Sequence, residues 1–315
     1  MSLTSETAAG SKPKLVTGAW LVVALLFIVG ALNYLDRTMI VTMRSSLIES
    51  IPMNDARFGL LTSVFLWVYG LVSPLAGFLA DRFKRSRVIV GSLFLWSFVT
   101  WLTAHATTFE ELLLTRALMG ISEACYIPAA LALIVDYHRG PTRSLATGVH
   151  MTGVVVGQSL GFIGGWVAEE YTWNYVFSVF GIIGIVYSLI LVFLLRDAPA
   201  DRTEKVLEKP VEKVNFFAAM NGLFRLRSFN LLLILWSLIG FVGWMIVGWL
   251  PTYYKEQFSL SQTLSGLYAT GYLYPASIVG LLLGGFWADR WSRTNKKGRI
   301  LVPLIGLAVA APCVF

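Results

Sequence analysis

Nine stretches of about 20 apolar residues, at positions 19–44, 58–80, 88–107, 112–136, 145–168, 176–195, 231–254, 263–288 and 300–315, decide what this 315-residue chain can become. Crossing roughly 30 Å of hydrocarbon at about 1.5 Å per residue takes about 20 residues of helix, so each run has the length of a membrane span. Their sum explains a chain that is 56% apolar with a mean hydropathy of +0.69, a composition that belongs with lipid rather than water as solvent. The expected fold is an all-α integral membrane protein. The last run is short: sixteen residues of helix reach only about 24 Å.

The leading residues are polar and carry no obvious cleavage site, so the first run reads as an uncleaved span. The two cysteines, Cys125 and Cys313, both sit in apolar runs, and no CxxC pair occurs. Zinc and redox chemistry are therefore not indicated, and neither a metal nor a cofactor is expected. No P-loop or GxSxG elbow is present, which argues against an ATP-driven pump and against an enzyme.

A net charge of +7 would ordinarily raise the question of nucleic acid. Of the 25 lysines and arginines, however, 20 fall in the N-terminal tail and in alternate loops: Lys12 and Lys14, residues 82–87, Arg139 and Arg143, residues 196–227 and residues 290–299. The opposite loops hold Arg57 and Lys255 among Glu49, Asp55, Glu110, Glu111, Glu169, Glu170 and Glu256. The basic excess is thus a topology signal, predicting a cytoplasmic N-terminus in a cell inner (plasma) membrane and no nucleic-acid partner.

The segment GFLADRFKR at residues 77–85 returns as GFWADRWSR at 285–293, and upstream GLLTSVFLW (59–67) returns as GLYATGYLY (266–274). Span 8 is therefore a second copy of span 2. A period of six spans in the same orientation implies two parallel halves. The expected organisation is a cytoplasmic tail (1–18), a complete six-helix half (19–195), a charged central loop (196–230) ending in an amphipathic stretch, and a partial second half (231–315) with three of six spans. The chain reads as a fragment or truncated product, and a non-transporting remnant is one of its readings.

These residues resemble the major facilitator superfamily. Its loop signature is matched by Gly77, Leu79, Asp81, Arg82 and Arg85, with Lys84 where glycine is usual, and recurs through Gly285, Asp289 and Arg290. Span 4 carries the R-x-x-x-G pattern as Arg116 and Gly120. Within the superfamily, NYLDR (33–37), LWVYGL (66–71), RALMGISEA (116–124) and GWLPTYY (248–254) resemble the anion:cation symporters, proton- or sodium-coupled importers of sugar acids and other organic anions. Spinster-like transporters, exporters of lipids or drugs, share NYLDR, LLLTR and the later acid of span 4, and stand as the alternative.

Four ionisable residues lie within spans of the first half: Asp36, Arg37, Arg116 and Glu123. Each costs at least ~2.5 kcal/mol to insert, so each needs a reason. They sum to zero charge, which suits a purely structural pairing of spans 1 and 4. Spacing also allows a site. Arg116 and Glu123 are seven apart and share a helix face, whereas the adjacent Asp36 and Arg37 diverge by about 100° and cannot point the same way. Arginine stays charged and grips carboxylates in a fork, while a buried carboxyl exchanges protons.

By resemblance to the symporters, Asp36 and Glu123 are expected to couple protons and Arg37 to bind a substrate carboxylate, with Arg116 orienting Glu123. Tyr34 and Tyr69 match aromatic positions near that site. Asn33, one turn from Arg37, and Gln158 in span 5 are weaker binding candidates, and His150 reads as structural. The same resemblance makes Asp81 and Arg82, with the second-copy Asp289, parts of an inner gate. The glycine ladder Gly153, Gly157, Gly161, Gly165, and its span 8 counterpart Ala276, Gly280, Gly284, Ala288, is expected to form a sliding contact between halves, with static packing inside one half as the alternative. Trp173, Tyr175, Trp249, Tyr253 and Tyr254 are expected in an interfacial belt.

Overall fold

The computed structural model describes residues 17–139, 142–199, 216–292, 294–295 and 297–313, the side chains of Asp81, Asp289 and Arg299 excepted. Among the described residues every regular element is a helix, and eight helical segments are long and apolar enough to cross a membrane. They run over Ala19–Thr42, Asp55–Ala80, Arg85–Thr103, Phe109–Tyr137, Arg143–Glu170, Trp173–Leu194, Arg227–Phe258 and Gln262–Ser292 (spans 1 to 8). A ninth helix, Gly298–Cys313, has 16 residues. The chain is an integral membrane protein by this count and by the lipid-facing leucines of spans 2, 6, 7 and 8. The amphipathic stretch after the central loop forms the short helix Phe216–Phe224.

Several ends are set by local chemistry. Asn54 accepts from Arg57 N (2.9 Å) to start span 2, Thr172 accepts from Tyr175 N to start span 6, and Thr108 with Glu111 forms a capping box that starts span 4. Lys84, between spans 2 and 3, takes φ −59°, a conformation open to any residue. The departure from glycine there strains nothing. Span 3 is then anchored at its start by Asp197, whose carboxylate accepts from Ser86 N (2.9 Å) and Ser86 Oγ (2.8 Å).

Two spans are interrupted. Span 4 breaks between Glu123 and Tyr126, where Pro128 has no N–H for the carbonyl four residues earlier. Span 5 breaks at Leu160 and Gly161. Span 8 contains a π-helical stretch, Leu267–Tyr272, within the segment that repeats span 2.

The first half packs as two layers of contact. Spans 3 and 6 cross closely: a Cβ on Gly181 would stand 2.6 Å from Trp101 N and one on Gly184 2.1 Å from Ser97 Oγ. Spans 1 and 5 cross as closely, and here the glycine ladder differs from expectation. A Cβ on Gly153 would meet Phe27 O at 2.5 Å, one on Gly157 Ala31 O at 2.1 Å, and one on Gly161 Thr38 Oγ1 at 2.6 Å. These three glycines form a close crossing with span 1, whose residues occupy the space a side chain would need. A Cβ on the ladder's end, Gly165, would also meet Gln262 O of span 8, at 3.3 Å, and span 5 packs against span 8 as well. Gly280 and Gly284 of span 8 face open space. Trp173 also departs from the expected belt: it is buried, packed edge-on against Phe177.

Candidate functional site

Spans 1, 2, 4 and 7 line a half-open cavity of about 760 Å³. Its polar lining includes Arg37, Arg116, Thr62, Ser63 and Ser237, and its walls are built largely from aromatic and aliphatic side chains, among them Phe65, Leu66, Trp67, Phe241, Trp244 and Trp249. Both buried arginines of the first half therefore reach the same space.

Arg37 Nε donates to Glu123 Oε2 at 2.7 Å, an ion pair with side chains 3% and 0% exposed. The guanidinium carbon lies 4.5 Å from the Tyr34 ring centre, 4.9 Å from Phe65 and 4.5 Å from Tyr69. Three rings thus crowd the guanidinium and hold it against the carboxylate. Tyr34 and Tyr69 act in this arrangement through their faces, on the arginine. Phe65, which the motif reading did not single out, is the third member, and the repeat segment containing it was the available signal.

Arg116 is 2% exposed and forms no ion pair among the described residues. Its Nη1 contacts Met119 Sδ at 3.4 Å and its guanidinium lies 5.2 Å from the Phe177 ring centre. The partner of Glu123 is Arg37, not Arg116: both lie on one unbroken helix, Phe109–Glu123, and it is span 1 that brings Arg37 against the carboxylate. Asn33 is fully buried near Glu123, without a hydrogen bond of normal geometry.

Asp36 points the other way, as adjacent helix positions require. It is 5% exposed and faces span 3, where Thr100 Oγ1 lies 3.1 Å from its Oδ2 and 3.0 Å from Trp96 O. A hydroxyl has one proton, so Thr100 can give it to Asp36, or give it to Trp96 O and accept from a protonated Asp36. The geometry serves both charge states of the acid.

Several buried polar atoms have no hydrogen-bond partner among the described residues: Arg37 Nη2 and Arg116 Nε and Nη2, on residues that line the cavity, and Glu123 Oε1 and both amide atoms of Asn33, which do not line it. Buried polar groups left unpaired are costly, and the two arginines carry theirs at the cavity where a ligand could meet them. Gln158 is half-buried on span 5 and does not line the cavity. His150 is buried, with Nδ1 3.2 Å from Leu26 O, the carbonyl that also accepts from Tyr126 Oη (2.9 Å).

At the end of the bundle bearing the acidic loops, the halves are tied together. Gln262 Nε2 donates to Ser46 Oγ (2.9 Å) and Gly165 O (3.0 Å), while Gln262 Oε1 accepts from Ser46 N (3.1 Å). Glu169 accepts from Thr263 N (2.7 Å) and from the Thr263 hydroxyl. Arg44 pairs with Asp55 and, at 3.5 Å, with Glu256. At the basic end Arg85 pairs with Asp136 and donates to Ala132 O (3.1 Å), and Arg82 lies over Phe78 at 4.1 Å. Gly77 and Gly285 have open space around them, Arg290 is in the last turn of span 8, and the Asp81 and Asp289 side chains lie outside the described residues.

Comparison with known proteins agrees with this architecture. Residues 26–315 match the family model of the Major Facilitator Superfamily. Protein spinster homolog 1 of Xenopus tropicalis is 27% identical over 93% of this chain and 59% of its own length, and the Homo sapiens protein of that name is 27% identical over 94% and 59%. The sphingosine-1-phosphate transporter SPNS2 of Xenopus tropicalis is 27% identical over 72% of this chain and 44% of its own. The chain thus spans about three fifths of the first of these relatives.

Among solved structures, a bacterial homolog of the human lysosomal transporter spinster, in an inward-facing and unoccupied conformation, superposes with a TM-score of 0.73 at 26% identity, over 90% of this chain and 64% of that one. The D-xylose-proton symporter shares the fold, with a TM-score of 0.59 at 14% identity over 86% and 69%. The chain belongs to the Major Facilitator Superfamily, and the relatives it matches place it beside the spinster proteins.

Proposed function

We propose that this chain carries the binding cavity of a proton-coupled secondary transporter whose substrate is an amphipathic organic anion. The observation that carries the reading is the pairing, in one cavity, of two buried arginines with predominantly apolar aromatic walls. A small sugar acid would need polar partners on most sides, and the hydroxyls of Thr62, Ser63 and Ser237 are few against that need. A single-chain lipid phosphate asks for the opposite: cations at one end and apolar walls along the rest. The substrate named for one relative, sphingosine-1-phosphate, is of that class.

The coupling follows from charge. Asp36, Arg37, Arg116 and Glu123 sum to zero, so admitting one negative headgroup into a low-dielectric space leaves an excess that one proton would cancel. The substrate anion competes with Glu123 for Arg37. A proton on Glu123 frees Arg37 to take the substrate, and Arg116, already unpaired, forms the second arm of the grip. Among coupling ions the proton is favoured over sodium, because two guanidiniums beside the carboxylates repel a separate cation. The clustering of lysine and arginine in alternate loops orients the N-terminus to the cytoplasm of a plasma membrane.

The sugar-acid reading keeps the same arginines and differs in the size and polarity of what fills the cavity. Proteoliposomes with an imposed pH gradient separate the two: labelled single-chain lipid phosphate should accumulate and a labelled hexonate should not. Accumulation of the hexonate alone would install the sugar-acid reading. Failure to move either, with binding absent, would leave a non-transporting membrane protein.

A further inference from the structure

A second cavity, of about 420 Å³, lies away from the central one in the groove between spans 3 and 4. Span 3 contributes Arg87, Gly91, Leu95 and Val99, and span 4 contributes Leu118, Ile121 and Cys125 among others. Positions 87, 91, 95 and 99 follow the four-residue period of one helix face, and Leu118 and Ile121, three apart, with Cys125 in the break of span 4, face them from the antiparallel neighbour. The Ser92 hydroxyl donates to Ser122 O and ties the floor of the groove. Its rims remain open, with Leu95 54%, Leu118 38% and Ile121 48% exposed.

Three features of the groove point to one kind of occupant. Its walls are apolar for about 18 Å along span 3, from Arg87 to Val99. Its polar end is an exposed arginine on the basic face, in the first turn of span 3, the level at which phosphates of a bilayer leaflet lie. Its middle is notched at Gly91, where a Cβ would meet nothing within 4 Å. Arg85, two residues away, is committed to Asp136, whereas Arg87 forms no ion pair among the described residues.

We propose that this groove is a binding site for an anionic phospholipid of the leaflet on the basic face, with its phosphate at Arg87 and one acyl chain lying over Gly91 between Leu95 and Ile121. A neutral zwitterionic lipid fills the same apolar trough without the charge pairing, so preference for the anionic headgroup is the signature. The site is separate from the central cavity and does not depend on what that cavity carries.

The test is native mass spectrometry of the purified full chain in detergent, titrated with phosphatidylglycerol or with phosphatidylcholine. One phosphatidylglycerol should bind about fivefold more tightly than phosphatidylcholine, the ratio that about 1 kcal/mol for one arginine at the headgroup level implies. Arg87→Gln should erase that ratio. Gly91→Trp, which fills the notch without touching the packed side of span 3, should remove the first bound lipid, while Gly91→Ala should keep it. Equal affinity for the two lipids in the parent chain, or an unchanged first phosphatidylglycerol in Gly91→Trp, would overturn the proposal. So would a parent that takes up no lipid, the outcome expected if a protein segment covers the groove. Should Gly91→Trp fail to fold, the Arg87→Gln ratio decides alone.

Discussion

Arg37 Nε stands 2.7 Å from Glu123 Oε2, with both side chains buried and the guanidinium crowded by Tyr34, Phe65 and Tyr69. This contact joins span 1 to span 4 and places a titratable acid in competition with any anion that enters the cavity.

Replacing the acid tests that competition. Glu123→Gln keeps the shape and leaves Arg37 permanently available, so exchange of substrate across the membrane should persist. Accumulation driven by a pH gradient should fall by at least about tenfold, a loss of ~1.4 kcal/mol of coupling. Counterflow and gradient-driven uptake, measured on the same vesicles, check it; full accumulation by the mutant would remove Glu123 from the coupling scheme.

Replacing the base tests stability as well as binding. Arg37→Ala leaves Glu123 buried without its cation, and losing one partner of such a pair costs about 3 to 5 kcal/mol. The double variant Arg37→Ala/Glu123→Ala should be more stable than the single one, because it no longer strands a charge. Thermal unfolding in detergent, read by tryptophan fluorescence, gives the order.

Spans, repeat and the divergence of Asp36 from Arg37 were legible in the sequence, because each rests on local periodicity: apolar run length, a recurring GF-x-ADR segment, and 100° per residue. The choice of Arg37 over Arg116 as partner of Glu123 was not. It depends on how spans 1 and 4 cross, and the paired residues are 86 positions apart. The Gly153–Gly165 ladder announced a close approach, yet nothing in its spacing named span 1 as the neighbour. Thr100 and Gln262 were missed for a related reason. Each is an isolated polar residue whose role appears only once a distant helix is set beside it.

The glycine crossing gives a contrast within one protein. Gly157→Ala places a methyl where Ala31 O already stands, 2.1 Å away, so the two spans must separate. Gly284→Ala in span 8 enters open space. Overpacking of this kind costs about 1 to 3 kcal/mol, so Gly157→Ala should lower the unfolding temperature and Gly284→Ala should leave it unchanged. Equal effects would show that spans 1 and 5 do not meet as described.

The tie at the acidic end yields the last expectation. Gln262 joins the start of span 8 to Ser46, just beyond span 1, and to Gly165 of span 5, and Glu169 adds two bonds to Thr263. All of these cross between halves, so they hold only while that end is shut. Gln262→Leu preserves bulk but leaves Ser46 N and Gly165 O without this partner, and each lost bond costs about 1 kcal/mol or more when the group stays buried. The population with the acidic end open should therefore rise at least about tenfold, since two such losses already exceed the ~1.4 kcal/mol that a factor of ten requires. A cysteine placed at Thr42, whose side chain is buried beneath the tie, reports the change. Its labelling by a water-soluble thiol reagent should speed up in the Gln262→Leu background, and the added Glu169→Gln should speed it further. If labelling of that cysteine is unaffected by both changes, Gln262 and Glu169 do not hold the end closed.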